Sequence, residues 1–182
     1  MPIRPGAHRL GPDDATLVVK TGRSGAAAKA GHDLVIAVTT WQATLEVAGD
    51  PARITLALDA DATSLRVREG TGGMKTLGDD DKANIETTID DDVLKRKGIA
   101  FRSTDVQAAA GGGPIDVRGE LDLGGRVRPV AFALAVGDDG TITGAATLKQ
   151  TDWGIKPYSA LFGTLKVADE VEVVIEARLP VS

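Results

Sequence analysis

Residues 114–125 read "PIDVRGELDLGG", and their alternation decides the fold class. Ile115, Val117, Leu121 and Leu123 fall on one side of an extended chain; Asp116, Arg118, Glu120 and Asp122 fall on the other. Successive side chains of a strand point to opposite faces, so one face is wet and the other buried. That is the signature of antiparallel strands with one solvated face. Strands of a parallel sheet are covered on both sides and read as continuous apolar runs. The period of two recurs along the chain. Ile54, Leu56, Leu58 and Ala60 oppose Thr55, Asp59 and Asp61, while Val130, Phe132, Leu134 and Val136 form another apolar face. Near the end, Val171, Val173, Ile175, Ala177 and Leu179 oppose Glu172, Glu176 and Arg178. Glycines in "LGGR" (123–126) and "GDDG" (137–140) supply the positive φ angles that tight hairpins need.

One segment departs from this rhythm. In "DDDKANIETTIDDDVLKRK" (79–97), Ile85, Ile89 and Val93 recur every four residues, the stripe of an amphipathic helix. Asp79 to Asp81 at its start and Lys95 to Lys97 at its end complement the helix dipole, and Gly98 follows. A further turn or short helix is expected at Pro157 to Phe162. The sum is an all-β domain of about eight strands, with one helix inserted between strands ending near Val67 and beginning near Ile99. Patterning accommodates a sandwich or a closed barrel equally. Eight closed strands leave an interior just wide enough for one small ligand.

The whole chain is 182 residues, which fits one domain: residues 1–13 read as a flexible leader and 14–182 as the folded unit. There are no cysteines, hence no disulfides or thiol chemistry, and the net charge of -5 argues against nucleic acid as a partner. The start shows no apolar signal segment, and no stretch reaches the ~20 apolar residues of a membrane helix, so a cytoplasmic protein is expected. Aromatics make up only 3%, so any cavity would have mostly aliphatic walls.

The candidate chemical groups are few. His32 and Asp33 are adjacent, so on a strand they point to opposite faces and do not form a dyad. "GRSGA" (22–26) does not match the G-x-S-x-G nucleophile elbow and lacks its strand-to-helix setting. His8 is the only other histidine and no paired-histidine spacing exists, so no metal is expected. "DADAT" (59–63) lacks the glycine and closing glutamate of a calcium loop, and "GTGG" (70–73) lacks the P-loop pattern. Trp153, Tyr158 and Phe162 crowd one stretch, "TDWGIKPYSALFG" (151–163), which suggests a lid or pocket mouth.

Three stretches together resemble the YceI-like family of polyisoprenoid- or lipid-binding domains. The first is "KAGHDLVIAVTTWQATLEV" (29–47), similar to the family's histidine-bearing strand pair. The second is the helix followed by "GIAFRSTDV" (98–106), similar to an I-x-F-x-S-T strand entry. The third joins "VRGELDLGGRVRPVAFAL" (117–134) to "LKQTDWGIKPYSALFGTLKVADEVEVVIEARL" (148–179). The resemblance spans about Ala15 to Leu179 and carries over His32, Ile99, Phe101, Ser103, Thr104, Asp152, Trp153, Gly154 and Ile155. It implies an eight-stranded antiparallel, lipocalin-like barrel with the helix near one mouth and a long apolar tunnel.

The expected function is therefore binding of an isoprenoid or fatty-acid-like chain by a non-enzymatic carrier, storage or sequestering protein, without cofactor or metal. The chain of the ligand is expected along Leu34, Ile36, Val38, Leu56, Leu58, Phe101, Val117, Leu121, Phe132, Leu134 and Ile175, with Trp41 and Phe162 among the further lining rings. A polar head belongs near His32, Trp153 or Tyr158. Two rivals stay open: a hydrolase or isomerase using His32 as base, and a ligand-free β interaction module. An exposed strand edge or barrel mouth leaves room for a homodimer.

Overall fold

The computed structural model describes residues 3–49, 53–109, 113–160 and 165–179. Twelve strands are described: β1 Gly6–Leu10, β2 Ala15–Ser24, β3 His32–Val38, β4 Trp41–Val47, β5 Ile54–Ala60 and β6 Leu65–Gly72, followed by β7 Ile99–Ala108, β8 Ile115–Leu123, β9 Arg126–Val136, β10 Thr141–Lys149, β11 Ser159–Ala160 and β12 Leu165–Arg178. They form one curled antiparallel sheet in the order β1-β4-β5-β7-β8-β9-β10-β12-β2-β3-β6, with β11 paired to β12. The all-β reading holds.

The strand count exceeds eight by four: two arise because long ribbons bend, and the short strands β1 and β11 are the others. β3 and β4 are separated only by Thr39 and Thr40, and β5 and β6 by residues 61–64. β3 pairs with β6 while β4 pairs with β5, so the four make one kinked hairpin. Its β3 edge pairs with β2 and its β5 edge with β7, which links the two flanks of the curled sheet. β-bulges at Val35/Ile36 and Ser103/Asp105, and a register shift between Val167 and Val171, turn the strands where the sheet curves.

Ser64 holds the corner of that hairpin. It is buried, with Oγ donating to the carbonyl of Asp61 at 2.8 Å and accepting from the Thr40 N–H at 3.1 Å. Its own carbonyl accepts from the Thr39 N–H at 2.9 Å. Ser64→Ala is expected to cost about 1–3 kcal/mol, because the Thr40 amide loses its acceptor inside the corner. Urea unfolding measures this, and an unchanged midpoint would refute the corner role.

Residues 1–13 are not a loose leader where they are described. Gly6–Leu10 pairs in register with Ala43–Val47, and Ile3 and Leu10 are buried in the core. Two apolar side chains reaching buried positions explain why this segment docks.

The expected helix begins at Asp79 as foreseen, but α1 spans Asp79–Thr88 and continues as a π-helical turn over Ile89–Val93. Asp81 caps the start by accepting the Gly78 N–H at 3.1 Å. Lys95 and Arg96 adopt positive φ, so the basic residues form the exit turn and not a last helical turn. Glu86 accepts the Val67 N–H at 2.8 Å, so the helix satisfies a backbone donor on β6, which would otherwise be an open sheet edge. No described helix is long and apolar enough to cross a membrane.

The short helix expected at Pro157 to Phe162 is not found in its described part. Pro157 and Tyr158 are irregular, and Ser159–Ala160 form β11. A 3₁₀ turn lies earlier, at Gln150–Trp153, and Phe162 falls outside the described residues.

Candidate functional site: an aliphatic cavity inside the curled sheet

The burial of inward residues changes along each strand, and that change locates the hollow. On β8, Ile115 and Val117 are each 1% exposed, while Leu121 and Leu123 further along the same face are half-buried. On β12, Leu179 just past the strand and Ala177 within it are buried, while Ile175, Val173 and Val171 are half-buried. On β5, Ile54 is buried and Leu56, Leu58 and Ala60 are half-buried. Side chains on one face that stop being covered, although the sheet continues to curl around them, border an open space.

That space is a cavity of about 550 Å³. It lies in the range of small-ligand sites, 300–1,000 Å³. Its walls are almost wholly aliphatic, as the composition requires. Below it, Ile3, Val47, Ile54, Val106, Ile115 and Val117 are packed and take no part in the lining. At the other end, the stripe Ile85, Ile89 and Val93 faces the cavity from α1 and its π turn.

Of the residues expected at the site, His32, Leu34, Ile36, Val38, Leu56, Leu58, Phe101, Leu121, Phe132, Leu134, Tyr158 and Ile175 line the cavity. Phe101 and Phe132 pack as a tilted pair, ring centroids 5.6 Å apart at 55°. Tyr158 is 49% exposed at the rim. Three described residues lie elsewhere. Val117 belongs to the packed end. Trp41 is buried in the core at the bend between β3 and β4, its indole N–H without an acceptor among the described residues. Trp153 is buried away from the cavity and donates its indole N–H to the Leu121 carbonyl at 3.0 Å.

Trp153 has a structural task there. β9 and β10 pair only where Ala133–Val136 meets Ile142–Ala145, leaving their other ends splayed. The 3₁₀ turn carrying Trp153 packs against both strands, and Arg128 Nε donates to the Asp152 carbonyl at 3.0 Å. The expectation of a lid residue at Trp153 is therefore corrected: a ring crowded near a mouth in sequence is spent filling a gap in the wall. Ser103 is also structural, its Oγ accepting the Leu56 N–H at 2.8 Å beside the bulge in β7.

The polar groups of the mouth sit together. His32 Nε2 bonds the Lys75 carbonyl at 2.7 Å; since a carbonyl only accepts, this nitrogen carries the proton. Arg23 Nη1 donates to the Gly31 carbonyl at 2.7 Å, and its Nε lies 3.4 Å from Asp33 Oδ1. Asp81 lies close by, and the Gly78 N–H together with the Lys75 ammonium holds its carboxyl below the usual carboxylate range. Among the described residues no group of three or more acids and histidines is placed to hold a metal.

Sequence reasoning missed Arg23, the helix stripe as lining, and Val173. The signal for Arg23 was present: Leu17, Val19, Thr21 and Arg23 alternate along β2, and all four line the cavity.

Residues 17–179 match the family model described as the YceI-like domain. The chain belongs to the YceI-like domain family. No curated protein is recognisably similar to this YceI-like domain. Among solved structures, Burkholderia cenocepacia BcnA aligns at TM-score 0.64 and 18% identity, covering 89% of this chain and 94% of that one. The Campylobacter jejuni YceI protein aligns at TM-score 0.53 and 15% identity, covering 78% and 81%. A mutant CJ YceI protein with a monobromobimane guest aligns at TM-score 0.54 and 14% identity over the same shares. At these identities the likeness extends to the fold of the YceI-like domain.

Proposed function

We propose that this protein binds a long apolar chain, isoprenoid or fatty-acid-like, inside the curled sheet, and acts as a non-enzymatic carrier, storage or sequestering protein. The observation that carries the reading is the cavity of about 550 Å³, bounded by inward residues from the strands and by the helix stripe, with the polar groups gathered at one end. A lipocalin-like wall of eight ribbons belongs to the same proposal. It is supported by counting the two bent ribbons, β3 with β4 and β5 with β6, once each and leaving aside short β1 and β11. The chain would run along Leu34, Ile36, Leu56, Leu58, Phe132 and Ile175.

Energetics favour such a ligand without a strong polar anchor. Burying roughly 20 methylenes at about 0.8 kcal/mol each contributes on the order of 16 kcal/mol before ordering and association costs. Those costs take several kcal/mol and leave micromolar or tighter binding within reach.

Native mass spectrometry of gently purified protein tests the proposal. The expected result is added mass in the lipid range, or uptake of palmitate or farnesol by delipidated protein. A clean apo mass with no uptake of either would refute it.

A further inference from the structure

The head group of the cargo follows from the one charged side chain in the inward register of β2. Leu17, Val19 and Thr21 carry the lining from the cavity floor towards the mouth, and Arg23 continues it with a permanent positive charge. Its side chain is only 28% exposed. Among the described residues no carboxylate lines the cavity. Asp33, the acid nearest to Arg23, is outside the lining, and its 3.4 Å separation is a loose pairing.

The surroundings are built to leave room for this group. Gly72 and Gly73 follow one another at the end of β6, both with positive φ, at 78° and 74°. A Cβ on Gly72 would overlap the Arg23 guanidinium, and one on Gly73 would overlap the His32 ring. The two glycines thus clear the space that both polar side chains occupy at the mouth. Arg23 spends Nη1 on the Gly31 carbonyl and turns Nε towards Asp33, and among the described residues nothing accepts from Nη2. His32 spends its Nε2 proton on the Lys75 carbonyl, which leaves Nδ1 of the neutral ring an acceptor and Arg23 the donor for an anion.

A clamp that only tied down the Gly31 turn would not need its charge at the rim of an aliphatic cavity. Partial burial penalises a cation unless an anion meets it, and Asp33, outside the lining and 3.4 Å away, meets Arg23 only loosely. We propose that the ligand itself brings the anion: the cargo carries an oxyanion head, held by Arg23, while its chain fills the cavity. This inference rests on the lipid-binding reading and specifies the head group of that same site. Two sources share the chemistry, a fatty-acid carboxylate and a prenyl phosphate.

The experiment measures binding to the delipidated full-length chain of two matched pairs, palmitate against methyl palmitate and farnesyl phosphate against farnesol. The anion of at least one pair is expected to bind about tenfold or more tightly than its neutral partner, as hydrogen bonds to charged groups warrant. The pair showing the preference identifies the source. Arg23→Gln is expected to collapse that ratio towards one, and Arg23→Lys to retain part of it. Should Arg23→Gln fail to fold, the parent protein carries the test by itself, since its anion preference must shrink as salt is raised. Equal binding within both pairs overturns the oxyanion head and leaves the lipid-binding reading standing. So does a preference that survives both Arg23→Gln and high salt. Failure of all four probes to bind overturns both.

Discussion

Ile115→Ala is expected to destabilise the protein by about 2–5 kcal/mol, whereas Leu58→Ala should cost clearly less, although both remove a large aliphatic side chain from the inward face of a strand. Ile115 is 1% exposed, wedged at the packed end beside Val117, so truncation opens a new void among side chains that cannot all close over it. Leu58 already borders the open cavity. Its truncation enlarges a space that exists and forfeits contacts on one side only. Chemical denaturation of the delipidated protein with each variant measures the difference. Equal losses would mean that Leu58 is packed as tightly as Ile115, and the hollow would lose its physical basis.

Filling the cavity should abolish uptake without unfolding the chain. Leu58→Trp combined with Val173→Trp places two indoles in the space from β5 and β12. Binding of palmitate or farnesol is expected to fall by at least about a hundredfold, because each methylene excluded forfeits about 0.8 kcal/mol. The unfolding midpoint of the apo protein should stay the same or rise, since the rings enter empty volume and not a packed core. A double variant that still binds at parental affinity would place the ligand elsewhere. A double variant that unfolds would show that this volume is not free.

Much of the fold was legible because alternation is a local property. The inward sets on β5, β8, β9 and β12 follow from period two, and the stripe Ile85, Ile89 and Val93 follows from period four. Boundaries were less legible. The charged run ending in Lys97 looks helical throughout, yet the chain leaves the helix through Lys95 and Arg96 at positive φ. Dipole complementarity is a weak preference and gives way to the geometry of re-entering the sheet at Ile99. The fate of each tryptophan was not legible either. Trp41 lies between Thr40 and Gln42 and Trp153 between Asp152 and Gly154, settings alike in sequence, yet one fills the core and the other seals a splay between β9 and β10.

The sequence by itself determined the class of structure: which residues face inward, that the helix interrupts the strands once, and that any enclosed surface would be aliphatic. Local pattern suffices for these, because side-chain direction on a strand or helix depends only on neighbouring residues. Tertiary structure alone decided where the inward side chains meet and where they stand apart. Ile115 and Leu121 occupy the same face of the same strand, yet one is packed and the other borders the cavity. That difference arises from the curl of the sheet, which brings distant strands into contact at one end and holds them open at the other. The same curl places Arg23, His32 and the glycine pair Gly72–Gly73, separated by up to 50 residues in sequence (73 − 23), at one rim.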